Sequence, residues 1–142
     1  MFYDNRKDRS HSSVGNLRAE YENDLRAAIA AIGIERAVEE TRVERDRLGS
    51  LVDGTSPDLT LAEAASIQAL APEAPGAETI VDLACDHLLL GMSNAILDVE
   101  ALDRRLDVDL GAKTIQRKIE RQESMTFDEF IRFQHAILQE QS

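Results

Sequence analysis

The residues best equipped for chemistry in this sequence are cations. From Ala112 to Gln122 the charged residues are Lys113, Arg117, Lys118, Arg121 and Glu120, four cations against one acid. The chain as a whole carries −11. A cationic island on an acidic chain is a candidate contact for phosphate or another anion. Its side chains also suit base edges, because Arg and Lys pair with guanine or phosphate and Gln pairs with adenine. Ile115 and Ile119 are four apart and share the inward face of a helix. That leaves Lys113, Thr114, Gln116, Arg117, Lys118 and Arg121 on largely exposed faces, as the nucleic-acid-binding candidates. The first half of the chain offers Arg45, Arg47 and Ser50, set among Glu44 and Asp46 with a charge sum of zero. They are the weaker nucleic-acid candidates.

Catalysis and metal binding find little support. Cys85 and His87 lie two apart. On a helix their side chains point about 200° apart, so they cannot share one ion. Cys85 reads as a small buried thiol. No Gly-rich phosphate loop, nucleophile elbow or HExxH pattern occurs. Thr60-x-x-Glu63 and Thr126-x-x-Glu129 read as capping boxes, in which Thr and Glu satisfy the first amides of a helix. The expectation is no catalytic residue, no metal, no cofactor and no enzyme activity.

The elements that must position the island are helices. Leu17, Tyr21, Leu25, Ala28 and Ile32 recur at three- and four-residue steps up to Gly33. Further helices are expected over 34–42, 44–52, 60–71, 78–97, 99–106, 112–121 and 126–139. No window alternates like a strand. An all-α chain of about eight helices is therefore expected. Residues 1–15 are polar and read as a flexible tail. Pro72, Pro75 and Gly76 mark a linker over 72–77. It separates a first unit, 16–71, from a second, 78–140.

The two units match. Leu59-Thr60-Leu61-Ala62-Glu63 aligns with Met125-Thr126-Phe127-Asp128-Glu129 at a shift of 66 residues. Leu48 and Val52 fall on Ile115 and Ile119 at a shift of 67. One four-helix unit used twice explains both. The spacing of Ala37–Val43 running into Glu44–Gly54, and of Val99–Val108 running into Lys113–Arg121, resembles helix-turn-helix domains of the Cro and lambda-repressor type. The resemblance implies two tandem four-helix bundles, with the third helix of each in the major groove of double-stranded DNA. It implies a transcriptional regulator acting by binding only. Two departures stand out: the turn Val108–Ala112 is two residues longer than its counterpart, and Arg121-Gln122 replaces the stop at Gly54. The arrangement also resembles an uncharacterised haloarchaeal domain family.

Charge and hydropathy set the remaining bounds. Of 142 residues, 43% are hydrophobic, too many for a disordered acidic tail. No apolar run reaches the length of a membrane span, and the first residues lack a signal-peptide core. One cysteine fits a reducing cytoplasm. Lysine occurs three times, and no Lys or Arg lies between Arg47 and Arg104. Such acid-rich, lysine-poor chains resemble cytoplasmic proteins of salt-accumulating, halophilic archaea. The segment 80–97 is more apolar than one buried face needs. Val81, Cys85, Leu89, Met92 and Ile96 form a stripe expected to pack inward. Leu83, Leu90 and Leu97 form a second, to be covered by the other repeat or by a homodimer partner. The alternative function is a helical protein-interaction module without DNA binding or catalysis, and a third is a purely structural subunit.

Overall fold

The computed structural model describes Phe2 and residues 13–141. Within them the chain forms eight helices and no strand. These are α1 (Val14–Ile32), α2 (Ile34–Thr41), α3 (Arg45–Val52), α4 (Leu61–Gln68), α5 (Ala77–Asn94), α6 (Val99–Arg105), α7 (Ala112–Ile119) and α8 (Phe127–Gln141). The expected tail, 1–15, falls mostly outside the described residues. Its described parts are not tail-like: Ser13 caps α1 and Val14 and Gly15 open it, while the Phe2 ring is fully buried against Tyr21, Phe127 and Phe130.

The helix starts follow local chemistry. Ser13 Oγ accepts from the Asn16 amide at 3.0 Å, and Asp98 Oδ1 accepts from Ala101 at 2.8 Å. Both expected capping boxes are formed. Thr60 Oγ1 accepts from the Glu63 amide and Glu63 Oε1 accepts from the Thr60 amide, at 3.0 and 2.9 Å. Thr126 and Glu129 repeat the pattern at 3.0 and 2.8 Å.

The two capping boxes meet. The Leu61 amide donates to the Met125 carbonyl at 2.8 Å, and the Phe127 amide donates to the Leu59 carbonyl at 2.9 Å. Thr60 and Thr126 thus form an antiparallel bridge. The bridge relates the halves by a local two-fold, in the register the repeat alignment implies. α1 to α4 correspond to α5 to α8. Helix contacts obey the same relation: α2 packs on α3 as α6 does on α7, and α1 packs on α4 as α5 does on α8. Across the halves, α4 packs on α5 as α8 does on α1. Among the described residues the contact of α1 with α2 has no counterpart. Gly33 alone joins α1 to α2, whereas α5 and α6 are separated by residues 95–98 and a 92° turn. The buried residues form one continuous cluster.

Each capping-box glutamate also binds a cation from the preceding helix. Arg47 on α3 reaches both carboxylate oxygens of Glu63 at 2.8 and 2.6 Å. Lys118 on α7 reaches Glu129 at 3.0 Å. The hydrogen bonds from Arg47, opposed by partial burial, hold the Glu63 carboxyl below its ordinary range.

Glu63→Gln keeps an acceptor for the Thr60 amide but removes the charge facing Arg47. The expected cost is about 1–2 kcal/mol near neutral pH. A lowered folded pKa contributes stability above the unfolded value, and that contribution disappears as pH falls through the folded value. Urea unfolding of wild type and variant should therefore differ near pH 7 and converge as pH falls through the lowered folded-state value of Glu63. An equal gap throughout would assign the effect to packing instead.

Candidate functional site

The cationic island is placed by α7. Gly111, at φ 85°, opens the helix, and Ile115 and Ile119 fasten it to the core. Lys118 departs from its expected exposure. It follows Ile115 by one helical turn, so its stem lies on the inward edge and the residue is only 9% exposed. Its ammonium donates to the Ser124 carbonyl at 2.9 Å and to Glu129, and it lies 3.5 Å from Glu123. Arg117 is exposed, but its Nε donates to Glu123 Oε1 at 3.2 Å, and its Nη2 lies 3.4 Å from Thr114 Oγ1. The hydrogen bond from Arg117, with Lys118 beside it, holds the Glu123 carboxyl below its ordinary range. Gln116 donates to Glu120 at 3.1 Å. Arg121 pairs with Asp82 on α5. Lys113 is exposed and is paired with none of the described residues.

The first-half candidates are engaged in the same way. Arg45 pairs with Glu35, and Arg47 is held by Glu63 with Glu44 at 3.6 Å. Ser50 is half-buried, and its carbonyl accepts from the Thr55 amide and hydroxyl. The cations of both α3 and α7 are thus largely compensated by the chain's own carboxylates. A phosphate arriving there would compete with carboxylates that remain close by.

The outward face of α5 is different. Its buried residues are Ile80, Ala84, Cys85, Leu88, Gly91 and Met92, and those of α1 are Leu17, Tyr21, Glu22, Leu25, Ala28 and Ile29. The two sets superimpose at a shift of 63 residues. At that shift the outward positions can be compared directly. Leu83, Leu89 and Leu90 on α5 are 36, 47 and 59% exposed. Their counterparts on α1 are Glu20, Arg26 and Ala27. The fold accepts polar or small residues at these places in one half and shows three leucines to solvent in the other.

Ile96 extends this face. It is 91% exposed and adopts φ 54°. The Ile96 amide donates to Ser93 and the Leu97 amide to Met92, at 3.2 and 2.8 Å, which is the hydrogen-bond pattern of a left-handed helix stop. At the same shift of 63 its counterpart is Gly33, φ 86°. Glycine adopts this conformation freely, whereas a β-branched residue is strained there. The second half therefore carries a large apolar side chain that is both strained and solvated.

Sequence periodicity found this helix but misplaced two residues. The inward face is centred on Ile80, Ala84 and Leu88, so Leu89 turns outward. The helix stops at Asn94, and the left-handed stop sends Ile96 out and Leu97 in. Comparing outward positions between the repeats was the available signal.

Two other features lack a matching functional geometry. A cleft of about 750 Å3 beside the bridge is lined by Arg18, Arg47 and Arg132, with Glu63 and Asp128 among the acids opposite. Arg47 is held by Glu63, while Arg18 and Arg132 both pair with Asp128, so the cleft's arginines are already engaged by the chain's own carboxylates. Cys85 is buried, and desolvation, with Asp86 adding to it, pushes its thiol up to about 11. Among the described residues no cluster of three or more His, Cys, Asp or Glu side chains is placed to hold an ion. Nor is any single described helix long and apolar enough to cross a membrane.

The chain belongs to a family of unknown function, DUF5791, whose profile matches residues 17–140. The match spans both halves and the segment joining them. No curated protein and no solved structure matches the chain.

Ile96→Gly should stabilise the chain by about 1 kcal/mol, by relieving the left-handed strain. Gly33→Ile, at φ 86° and ψ 152°, a region essentially closed to residues with a Cβ, should destabilise it by more than that. Thermal unfolding of both variants checks this. A stability loss in Ile96→Gly would show that the side chain is needed for folding.

Proposed function

We propose that this member of the DUF5791 family is a helical protein-interaction module. It docks a partner on the outward face of α5 and performs no chemistry. The observation that carries this reading is the exposure of Leu83, Leu89 and Leu90 where the other repeat has Glu20, Arg26 and Ala27. Large apolar side chains grouped on one exposed helix gain free energy when a partner removes them from water, about 25 cal/mol per Å2 of apolar surface. Strained Ile96 at the end of the same face is a further cost that docking would offset.

DNA binding by tandem repressor-like units is the second reading. In its favour, α2 and α3 are joined by three residues, with Arg42 left-handed at φ 60°, as in a helix-turn-helix connection. Lys113 is open to solvent. Against it, α6 and α7 are joined by six residues, and Arg117, Lys118 and Arg121 are held by Glu123, Glu129 and Asp82.

Photo-crosslinking in the native cell separates the two. A photoreactive residue at position 90 should give a discrete protein adduct, and one at position 27, its counterpart on α1, should give none. Gel shifts with genomic fragments should show no retention that Lys113→Ala or Arg117→Ala removes. Adducts at neither position, together with DNA retention lost in those variants, would replace this reading with the DNA one.

A further inference from the structure

The charge around the α5 face specifies its partner, an inference that rests on the docking reading above. Asp86 lies on the same outward face, midway between Leu83 and Leu90, and is exposed. Glu78 is exposed at the start of α5, and Asp98 and Glu100 are exposed just beyond Ile96. α5 itself contains no Lys or Arg. The cation shown to reach it, Arg121, is held by Asp82, which lies off the Leu83–Leu90 line and two turns before Leu89 on its own line. The face is thus a short apolar ridge inside an acidic surround.

A second copy fits this poorly. A two-fold pairing centred on Leu83 and Leu90 would bring Asp86 against Asp86, and like charges brought together at an interface are unfavourable. An amphipathic helix with the opposite border fits well. Its apolar residues, at i, i+3 or i+4 and i+7, would cover the leucines, and flanking Lys or Arg would meet Asp86 and Glu78. We propose that α5 docks a basic amphipathic helix of another protein.

Two synthetic helices test this with the full chain. Both carry leucine at i, i+3 and i+7; one is bordered by lysine and the other by glutamate. Fluorescence anisotropy should show the lysine helix binding at least about ten-fold more tightly. The double variant Leu83→Ser/Leu90→Ser should lose that binding, and Ala27→Ser on α1 should not. Asp86→Lys should shift the preference towards the glutamate helix. Equal binding of both helices to the leucine face would overturn the basic partner while leaving docking intact. A dimer in sedimentation, broken by Leu90→Ser, would overturn it in favour of a second copy. Binding of neither helix by a monomeric chain would overturn both the partner and the docking reading.

Discussion

Two backbone hydrogen bonds, between Leu59 and Phe127 and between Leu61 and Met125, fix how the halves of this protein meet. They form where two helices begin, so each capping box also organises the junction. Thr60 and Thr126 each cap a helix and face one another across the bridge. Arg47 and Lys118 then bind the capping glutamates and tie α3 and α7 to the same place. Partly buried charge-assisted bonds of this kind contribute more than exposed pairs do. With this junction set, the remaining helices take up equivalent positions, and α4 and α8 each pack against the first helix of the other half.

That equivalence makes the molecule its own control. α1 and α5 bury the same positions, and most but not all of their neighbours correspond: among the described residues α1 alone packs on the helix after it, and Arg26 there donates to the Leu51 carbonyl. Two of the differences lie at left-handed helix stops, although the first half has its own left-handed Arg42. Gly33 is matched by Ile96, and Gly54, at the stop of α3, is matched by Arg121 at φ 66°. In both places the second half puts a large side chain on a left-handed residue, at a cost of about 1–2 kcal/mol each. Arg121 uses its side chain to bind Asp82. Ile96 finds no such shelter among the described residues and stays 91% exposed.

The helices, the capping boxes and the repeat were all legible from sequence, because each is written in local spacing. Thr-x-x-Glu identifies a helix start without reference to tertiary structure, and both predicted starts appear. The fate of the cations was not legible. Lys118 lies one turn from Ile115, but only the approach of Glu129, eleven residues on, decides that its ammonium is consumed internally. Arg121 meets Asp82 through a contact between helices far apart in sequence. Phe2 was hidden for the same reason. A polar surrounding sequence suggested a tail, whereas the ring completes an aromatic cluster with Tyr21, Phe127 and Phe130. Side-chain pairing over long sequence distance is what spacing rules omit.

The direct test of the central claim is to give α5 the outward residues of α1. Leu83, Leu89, Leu90 and Ile96 would become Glu, Arg, Ala and Gly, as found at positions 20, 26, 27 and 33. Equilibrium urea unfolding of this chain should give a stability equal to or above that of wild type. A loss beyond about 2 kcal/mol would contradict the account, because the leucine ridge would then belong to the fold itself.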